Sequence, residues 1–224
     1  YYADSTGSSS VGWNADKYGD ISSLDDLLDP KFAGTVALNG KPAEAGAAFN
    51  GYLMATQLAG GDINNLQPGL DYFKKLKEAG NLTTVDVTNG TIDSGQTGVV
   101  FDWTYNQASY KKELKDKGVN WKYKTFPKAQ VVSYYNQAIN KDAPHPAAAR
   151  LWEEYLYTAD AQNLWFKGGA NPVLLDSMKE DGTVDQATLK DAITIEGEPV
   201  SYTNDDSTRI TEWLQNNWDK TIGN

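Results

Sequence analysis

The sequence predicts an α/β protein, in which helices cover both faces of a sheet. The first reason is that extended and helical signals alternate along the chain, as in the apolar strand pattern of residues 98–103 followed by a helical pattern over 107–117. The second is the placement of Pro and Gly at the predicted ends of helices. The third is that 224 residues with 40% hydrophobic content can bury a substantial core, as one large domain or two small ones.

The elements predicted in the first part of the chain end at residues that disfavour their continuation. Asp29-Pro30 ends a short helix, because a residue before proline is pushed away from the α region. Gly60-Gly61 and Gly80 end two longer helices. In order, the predicted elements are a helix over 24–28, a strand over 35–38, a helix over 43–58, a helix from Pro68 to Gly80, a strand over 83–87 and a helical turn over 90–94.

The second part of the chain continues the alternation. Pro146 suits the first position of a helix, since its fixed φ and missing N–H cost nothing there, and Asp185 is expected to cap a later helix. The predicted strands are 98–103, 121–126 and 131–139, and the predicted helices are 107–117, 146–165 and 186–193. In a terminal helix, one face carries the apolar residues Ile210, Trp213, Leu214 and Trp218, which are predicted to be core.

Composition and charge exclude several classes of function. The net charge of −10 argues against nucleic-acid binding, because a phosphate backbone requires clustered Lys and Arg. The absence of cysteine excludes disulfides and thiolate metal sites, and no apolar run approaches the roughly 18 residues of a membrane span. The one histidine, His145, lies between two prolines, so a Ser-His-Asp catalytic arrangement is not expected. We therefore predict no enzyme activity, no cofactor and no metal site.

Four stretches of the chain, taken in order, resemble one family. Residues 13–18 read WNADKY and residues 23–37 read SLDDLLDPKFAGTVA; residues 134–152 hold paired tyrosines, a polar loop and a helix start, and residues 159–173 end in GGANPV. These stretches resemble the substrate-binding proteins of ABC importers, and within them the type II, two-lobed group that includes the iron(III), polyamine and phosphonate binders. The resemblance implies a periplasmic-binding-protein-like type II fold and a protein that binds a solute without turning it over.

The resemblance also implies a division of the chain. Residues 13–130 with 173–224 correspond to the second lobe, and residues 1–12 with 131–172 to crossover strands and a remnant of the first lobe. No segment corresponds to the family's N-terminal part, so we interpret the chain as a fragment that begins mid-protein, with Tyr1 on a crossover strand. The lobes would close about hinges near 11–14 and 128–132, and the predicted helix over 146–165 would present an uncovered apolar face.

Three segments are expected to meet in the cleft between the lobes, since open α/β folds place ligands at the ends of their elements. Ala45-Gly46-Ala47 begins a helix, where accessible N–H groups favour an anion; close packing of helix on sheet is an equal alternative. Asp102-Trp103 and Tyr105 follow a buried strand. In Tyr134-Tyr135-Asn136, alternation should turn one tyrosine to the cleft and the other to the packing beneath it.

These residue types favour a small solute that carries an amine. Asp102 beside Trp103 is similar to the polyamine relatives, in which a carboxylate neutralises an ammonium and aromatic faces hold the cation. The iron(III) relatives carry adjacent tyrosines where this chain has Asp102-Trp103-Thr104-Tyr105, which counts against ferric binding. An anion such as a phosphonate or sugar phosphate, and a ligand-sensing role, stay open. The resemblance implies an exported protein, periplasmic, extracellular or lipid-anchored, that is monomeric at full length and delivers its solute to a membrane permease.

Overall fold

The chain folds around a mixed sheet that helices cover on both faces, so the predicted α/β class is confirmed. The computed structural model describes residues 2–193, 195 and 199–223; the expectation for Tyr1 therefore lies outside the described residues. The strands are β1 (Tyr2–Asn14), β2 (Val36–Leu38), β3 (Val99–Trp103), β4 (Trp121–Lys124), β5 (Val132–Gln137) and β6 (Asn171–Pro172).

Helices connect most of these strands. The α-helices are α1 (Ala15–Tyr18), α2 (Gly46–Leu58), α3 (Gln67–Glu78), α4 (Asn89–Asp93), α5 (Thr104–Glu113), α6 (Pro146–Leu156), α7 (Ala159–Lys167), α8 (Leu175–Glu180), α9 (Gln186–Asp191) and α10 (Asn204–Thr221). Short 3-10 helices span Leu24–Leu28, Pro30–Phe32, Lys115–Lys117 and Pro127–Ala129. Within the described part of the chain, no helix has both the length and the apolar character needed to cross a bilayer.

Strand β1 is the central element, because its two halves pair with different strands. The first half pairs antiparallel with β5 and β6, and Ser8 lies opposite Val132. The second half pairs antiparallel with β3 and β4, and Ser9 lies opposite Trp103. Strand β2 pairs in parallel with β3. The partners of β1 thus change between Ser8 and Ser9, a few residues before the hinge expected near 11–14.

The two faces of β3 enter different clusters, since successive side chains of a strand point to opposite sides. Val99 and Phe101 belong to the large core that also holds residues of α2, α3 and α10. Val100 belongs to a smaller cluster with Leu114 and Trp121, on the side of α5. A residue in β3 therefore faces either α2 or α5, according to its position.

The terminal helix α10 closes the large core, as its pattern predicts. Ile210, Leu214 and Trp218 are buried, and Trp213 packs against the same core from a partly buried position. The Trp218 ring lies 5.3 Å from that of Phe73 in α3, in an edge arrangement. Asp185 caps α9 as expected, because its carboxylate accepts a hydrogen bond from the backbone N–H of Thr188 at 2.9 Å.

Three sequence predictions need correction. Residues 83–87 form no strand: Leu82 makes an isolated bridge to Val36 and Thr83 donates to the Val36 carbonyl, but the chain then leaves β2, which is only three residues long. The helix predicted over 146–165 is two helices, because Thr158 caps a second one through the N–H of Ala161. The helix predicted over 107–117 begins earlier, at Thr104, and ends in a 3-10 turn.

Large apolar side chains remain exposed on α6 and α7. Leu151 is 71% exposed, Trp152 59% and Leu164 62%, with Tyr155 and Trp165 beside them in the sequence. An uncovered apolar face on these helices agrees with the expectation for residues 146–165. The division of the chain into lobes at residues 13–130 with 173–224, and 1–12 with 131–172, stays a prediction.

Candidate functional site

A cavity of about 430 Å³ lies where the start of α2, the end of β3 and the strand β5 approach one another. Its volume falls in the range of small-molecule sites, which is about 300–1,000 Å³. Among the residues predicted from the sequence, its wall contains Ala45, Gly46, Ala47, Trp103 and Tyr135. The structure thus brings one part of each of the three predicted segments together.

The start of α2 lies in the wall of this cavity. The helix begins at Gly46, and the residue before it, Ala45, has no side chain that could accept from the first turn. The first N–H groups of a helix have no intrahelical partner, and the helix dipole makes this end partly positive. Asn50 stabilises the first turn of α2 through two hydrogen bonds. Its side-chain N–H donates to the Gly46 carbonyl at 2.9 Å, and its side-chain oxygen accepts from the Tyr202 hydroxyl at 2.9 Å.

An aromatic series runs from β3 to β5. The Trp103 ring lies near the start of α2 and stacks on Tyr105, with ring centres 6.0 Å apart and planes at 16°. Tyr105 meets the Tyr135 ring at 6.1 Å in an edge arrangement, and their hydroxyls form a hydrogen bond. Burial, and then the bond to Tyr135, raise the pKa of Tyr105, so this phenol stays protonated. We call Trp103, Tyr105 and Tyr135 the aromatic series.

Asp102 does not reach this cavity, contrary to expectation. It follows Phe101 in β3, so its side chain points to the α5 side of the sheet, where it is fully buried. Its oxygens accept four hydrogen bonds, from the side chains of Asn39, Asn106 and Tyr110 and from the backbone N–H of Trp103, at 2.7–2.9 Å. Burial is the main cause that raises the pKa of Asp102, and these hydrogen bonds oppose it.

Strand alternation explains the misplacement of Asp102. Neighbouring residues of a strand face opposite sides, so Asp102 and Trp103 cannot both line one cavity while both lie in β3. The same rule separates Tyr134 from Tyr135. Tyr134 and Asn136 lie on the other side of β5 from Tyr135 and are exposed; Tyr134 is 51% exposed and is not packed beneath the cleft, as one tyrosine was expected to be.

Several wall residues were missed by sequence reasoning. Glu44 is exposed next to the helix start, and Ser133 precedes the paired tyrosines. Asn50 lies one helical turn after Gly46, a spacing that places both on one face and could have identified it. Tyr202 and residues of α10 come from a distant part of the chain, and no local signal links them to this cavity.

Ser9 is a further polar group beside the aromatic series. It pairs with Trp103 across the sheet, so both side chains point to the same face. The Ser9 hydroxyl is buried and has no hydrogen-bond partner among the described residues. In those same residues, no group of three or more His, Asp or Glu side chains is arranged to hold a metal ion.

Comparison with solved structures shows that proteins named for different ligands share the fold of this chain. The chain is similar to the spermidine/putrescine ABC transporter substrate-binding protein PotD of Streptococcus pneumoniae (14% identity, TM-score 0.67), with 98% of this chain and 68% of that chain covered. It is also similar to the apo ferric ion-binding protein A of Pasteurella haemolytica, with 18% identity and a TM-score of 0.66, and 98% of this chain and 68% of that chain are covered. A third similar structure is that of the sulfate-binding protein SubI of Mycobacterium tuberculosis, with 19% identity and a TM-score of 0.62, and 92% of this chain and 67% of that chain are covered.

Comparison with curated protein sequences gave no match. A family model described as bacterial extracellular solute-binding protein matches residues 1–192, which is most of the chain. Members of this family bind solutes and are not enzymes, which agrees with the predicted absence of catalysis. Both the resemblance read from the sequence and the fold it implies are confirmed, and the chain belongs to the bacterial extracellular solute-binding protein family.

Proposed function

We propose that this chain captures a small polar organic solute that carries an amine, in the cavity between the start of α2 and the aromatic series. The observation that carries the proposal is that Trp103 and Tyr135 share the cavity with Glu44, which is the only carboxylate in its wall among the described residues. No Lys or Arg of the described residues lies in that wall. A carboxylate neutralises an ammonium group, and aromatic faces attract it.

The carboxylate in this proposal differs from the one that the sequence favoured. The oxygens of Asp102 already accept hydrogen bonds from protein groups on the other side of the sheet. In this proposal, Glu44 is therefore the carboxylate that binds the ammonium group. Glu44 lies in the cavity wall and is exposed to solvent, and it directly precedes Ala45 in the sequence. The fold similarity to a spermidine/putrescine-binding protein agrees with this class of ligand.

An anion is the second candidate, because the helix start offers N–H groups to the same cavity. Ser133, Ser207 and Thr211 add hydroxyl groups to the wall, and uncharged donors of this kind bind sulfate or phosphate at helix N-termini. A sulfate-binding protein shares the fold. In this case Glu44 would oppose binding, since its charge repels the ligand. A phosphonate or sugar phosphate is included in this candidate.

A ferric ion is less well supported by the site. Ferric binding would need phenolates, yet the Tyr105 hydroxyl is hydrogen-bonded to Tyr135 and burial raises its pKa. Ionising both hydroxyls of this pair would place two negative charges side by side. The ferric similarity is therefore similarity of fold.

For the complete protein we infer transport by an ABC importer. Trp103 of β3 and Tyr135 of β5 line the cavity, and these two strands pair with different halves of β1. Closure about the Ser8–Ser9 region would therefore enclose a solute between two units. A membrane permease would then recognise the closed form. We further infer that the complete protein is exported, periplasmic, extracellular or anchored at the cell surface by a lipid, and monomeric. A sensor that uses the same closure is the alternative role.

Titration calorimetry with spermidine and with sulfate tests the ligand class. If the solute carries an amine, spermidine binds, and Glu44→Gln weakens its binding by roughly 1.5–3 kcal/mol, because the ammonium then meets a neutral amide oxygen in place of a carboxylate. Trp103→Ala removes about 0.5–2 kcal/mol of cation–π attraction in addition to contact area. Glu180→Gln, an exposed acid on α8, is the matched control and should leave the affinity unchanged.

The opposite pattern supports the anion. Sulfate would then bind, and Glu44→Gln would leave its affinity unchanged or increase it. Gly46→Pro would be the damaging substitution, because proline fits the first position of a helix but removes one of the N–H groups that the start of α2 offers to an anion. Wild-type affinity for both probes in all three variants, Glu44→Gln, Trp103→Ala and Gly46→Pro, would refute this cavity as the site.

A further inference from the structure

We propose that Tyr105 is a positioning residue: it sets the place of the Tyr135 ring in the cavity wall, and Gly7 and Gly169 hold Tyr105 there. The proposal rests on the proposed function, since it concerns the same cavity. Tyr105 was predicted from the sequence to contact the ligand. In the structure it lies behind the wall, which contains its two aromatic neighbours Trp103 and Tyr135.

Gly7 in β1 makes room for the Tyr105 ring. A Cβ atom built on Gly7 would lie 2.6 Å from Cε1 and 2.7 Å from Cδ1 of Tyr105, closer than side-chain atoms approach one another. Gly7 pairs with Ser133 of β5, and Ser5 pairs with Tyr135, so Gly7 shares a face with the β5 residues that line the cavity. Any side chain at position 7 would push the tyrosine ring away from β1.

Gly169 approaches the same turn of α5 from another side. A Cβ atom on Gly169 would lie 2.8 Å from the Ala108 Cβ and 3.2 Å from the Tyr105 Cα. Gly169 also has a φ of +90°, which side chains disfavour, so a substitution there would be strained for a second reason. In addition, the backbone N–H of Ser8 donates to the Thr104 hydroxyl at 3.3 Å. The first turn of α5 is thus fixed between two backbone segments.

With the turn fixed, the Tyr105 hydroxyl is aimed at Tyr135. Tyr135 is 49% exposed, and among the described residues its hydroxyl makes a side-chain hydrogen bond with Tyr105. An exposed tyrosine on a strand has freedom about its side-chain torsions, and a hydrogen bond to a fixed partner removes part of it. Tyr105 therefore acts on the solute through Tyr135, and it orders this part of the wall before the solute arrives.

Tyr134 provides a matched control within the same strand. It is 51% exposed, nearly the same as Tyr135, but it lies on the opposite side of β5 and outside the cavity wall. A change that acts on Tyr135 through Tyr105 should leave Tyr134 unaffected. Tyr134→Phe should likewise leave Tyr135 unaffected.

The first test needs no ligand. A 3-fluorotyrosine label at position 135 would be observed by ¹⁹F NMR in the wild-type chain and in Tyr105→Phe, Gly7→Ala and Tyr134→Phe. We expect the resonance to shift in Tyr105→Phe and Gly7→Ala and to stay in place in Tyr134→Phe. Tyr105→Phe keeps the ring and therefore the packing, so it decides the matter even where Gly7→Ala fails to fold. An unchanged resonance in Tyr105→Phe would overturn the proposal.

The second test measures coupling in binding, with spermidine and sulfate as probes. Tyr105→Phe and Tyr135→Phe should each weaken the probe that binds by about three- to tenfold, and the double variant should be no weaker than either alone. Thermal unfolding midpoints should stay close to that of the wild type. Additive losses in the double variant would contradict the proposal. If neither probe binds while the ¹⁹F shift is seen, the proposed ligand classes fail and the positioning role stands.

Discussion

Helices α10 and α6 are both amphipathic, yet only one of them covers its apolar face. In α10, Leu214 and Trp218 are buried against α2 and α3. In α6, Leu151 is 71% exposed and Trp152 is 59% exposed. The pattern of apolar residues is helical in both, because it reflects the period of the helix. Whether that face is covered depends on neighbours that come from elsewhere in the chain.

The neighbours of the two helices explain the difference. Trp218 of α10 packs on Phe73 at 5.3 Å and on Tyr52 at 6.0 Å, so α10 is held by aromatic rings from α3 and α2. In α6, Trp152 has a ring contact at 5.9 Å with Tyr155, a residue of the same helix. An exposed apolar patch of this kind commonly marks a contact surface. An amphipathic pattern therefore predicts a helix and a face, and leaves open what the face meets.

The largest expected effect compares one leucine in each helix. Leu214→Ala should destabilise the chain by about 2–5 kcal/mol, because it removes a buried side chain and leaves a cavity. Leu151→Ala, the matched substitution on α6, should change stability by less than about 0.5 kcal/mol. Urea unfolding at one pH measures both. Equal losses in the two variants would show that α6 is covered as fully as α10.

A second prediction extends the comparison from apolar to charged groups. Asp102 is buried and its pKa is raised, whereas Asp206, in the capping box of α10, has a pKa lowered to about 2, chiefly by the hydrogen bond from the Thr203 backbone. Asp102 therefore contributes stability that is present below its ordinary pKa and is lost as pH rises through the raised value. Asp206 contributes stability that is present above its ordinary pKa and is lost as pH falls toward 2.

Unfolding measured by urea as a function of pH separates these two groups. Relative to Asp102→Asn, the wild-type chain should lose stability as pH rises from about 4 toward neutrality. Relative to Asp206→Asn, it should lose stability as pH falls below about 4. If the stability advantage of the wild-type chain over Asp102→Asn grew with rising pH, burial would not be the main influence on the pKa of this carboxyl group.

The smallest expected change in stability belongs to Trp152. Trp152→Ala should leave the free energy of unfolding within about 0.5 kcal/mol of wild type, since the ring is mostly exposed. The same substitution should lower the fluorescence of a bound apolar dye, because it removes part of the uncovered face. Trp218→Ala is the control, with an expected loss of about 3–5 kcal/mol. A comparable loss in Trp152→Ala would mean that the two helices do not differ in the way described.

Much of the fold follows from local signals. Pro146, Asp185 and the apolar face of α10 predict helices that the structure contains, and residues 98–103 predict the buried strand β3. Residues 83–87 carry a strand-like pattern but form no strand, since a strand needs a partner and β2 ends at Leu38. The break at Thr158 was missed because the apolar spacing continues across it.

The candidate site was predictable in part. Ala45, Gly46, Ala47, Trp103 and Tyr135 do line one cavity. The separation of Asp102 from Trp103, and of Tyr134 from Tyr135, follows from alternation once the strand is known, so a stricter use of that rule would have found it. The position of Tyr105 behind the wall could not be found in this way, because it depends on Gly7, 98 residues earlier in the chain.

By itself, the sequence determined the periods of the helices and strands, the residues that end them, and the family to which the chain belongs. These properties arise from backbone geometry and from side chains within a few residues of one another. The tertiary structure alone decided that Asp102 is enclosed, that Tyr202 supports the start of α2 through Asn50, and that α10 is covered while α6 is not. Burial and hydrogen bonding depend on contacts between distant segments, and a one-dimensional pattern does not specify which segments meet.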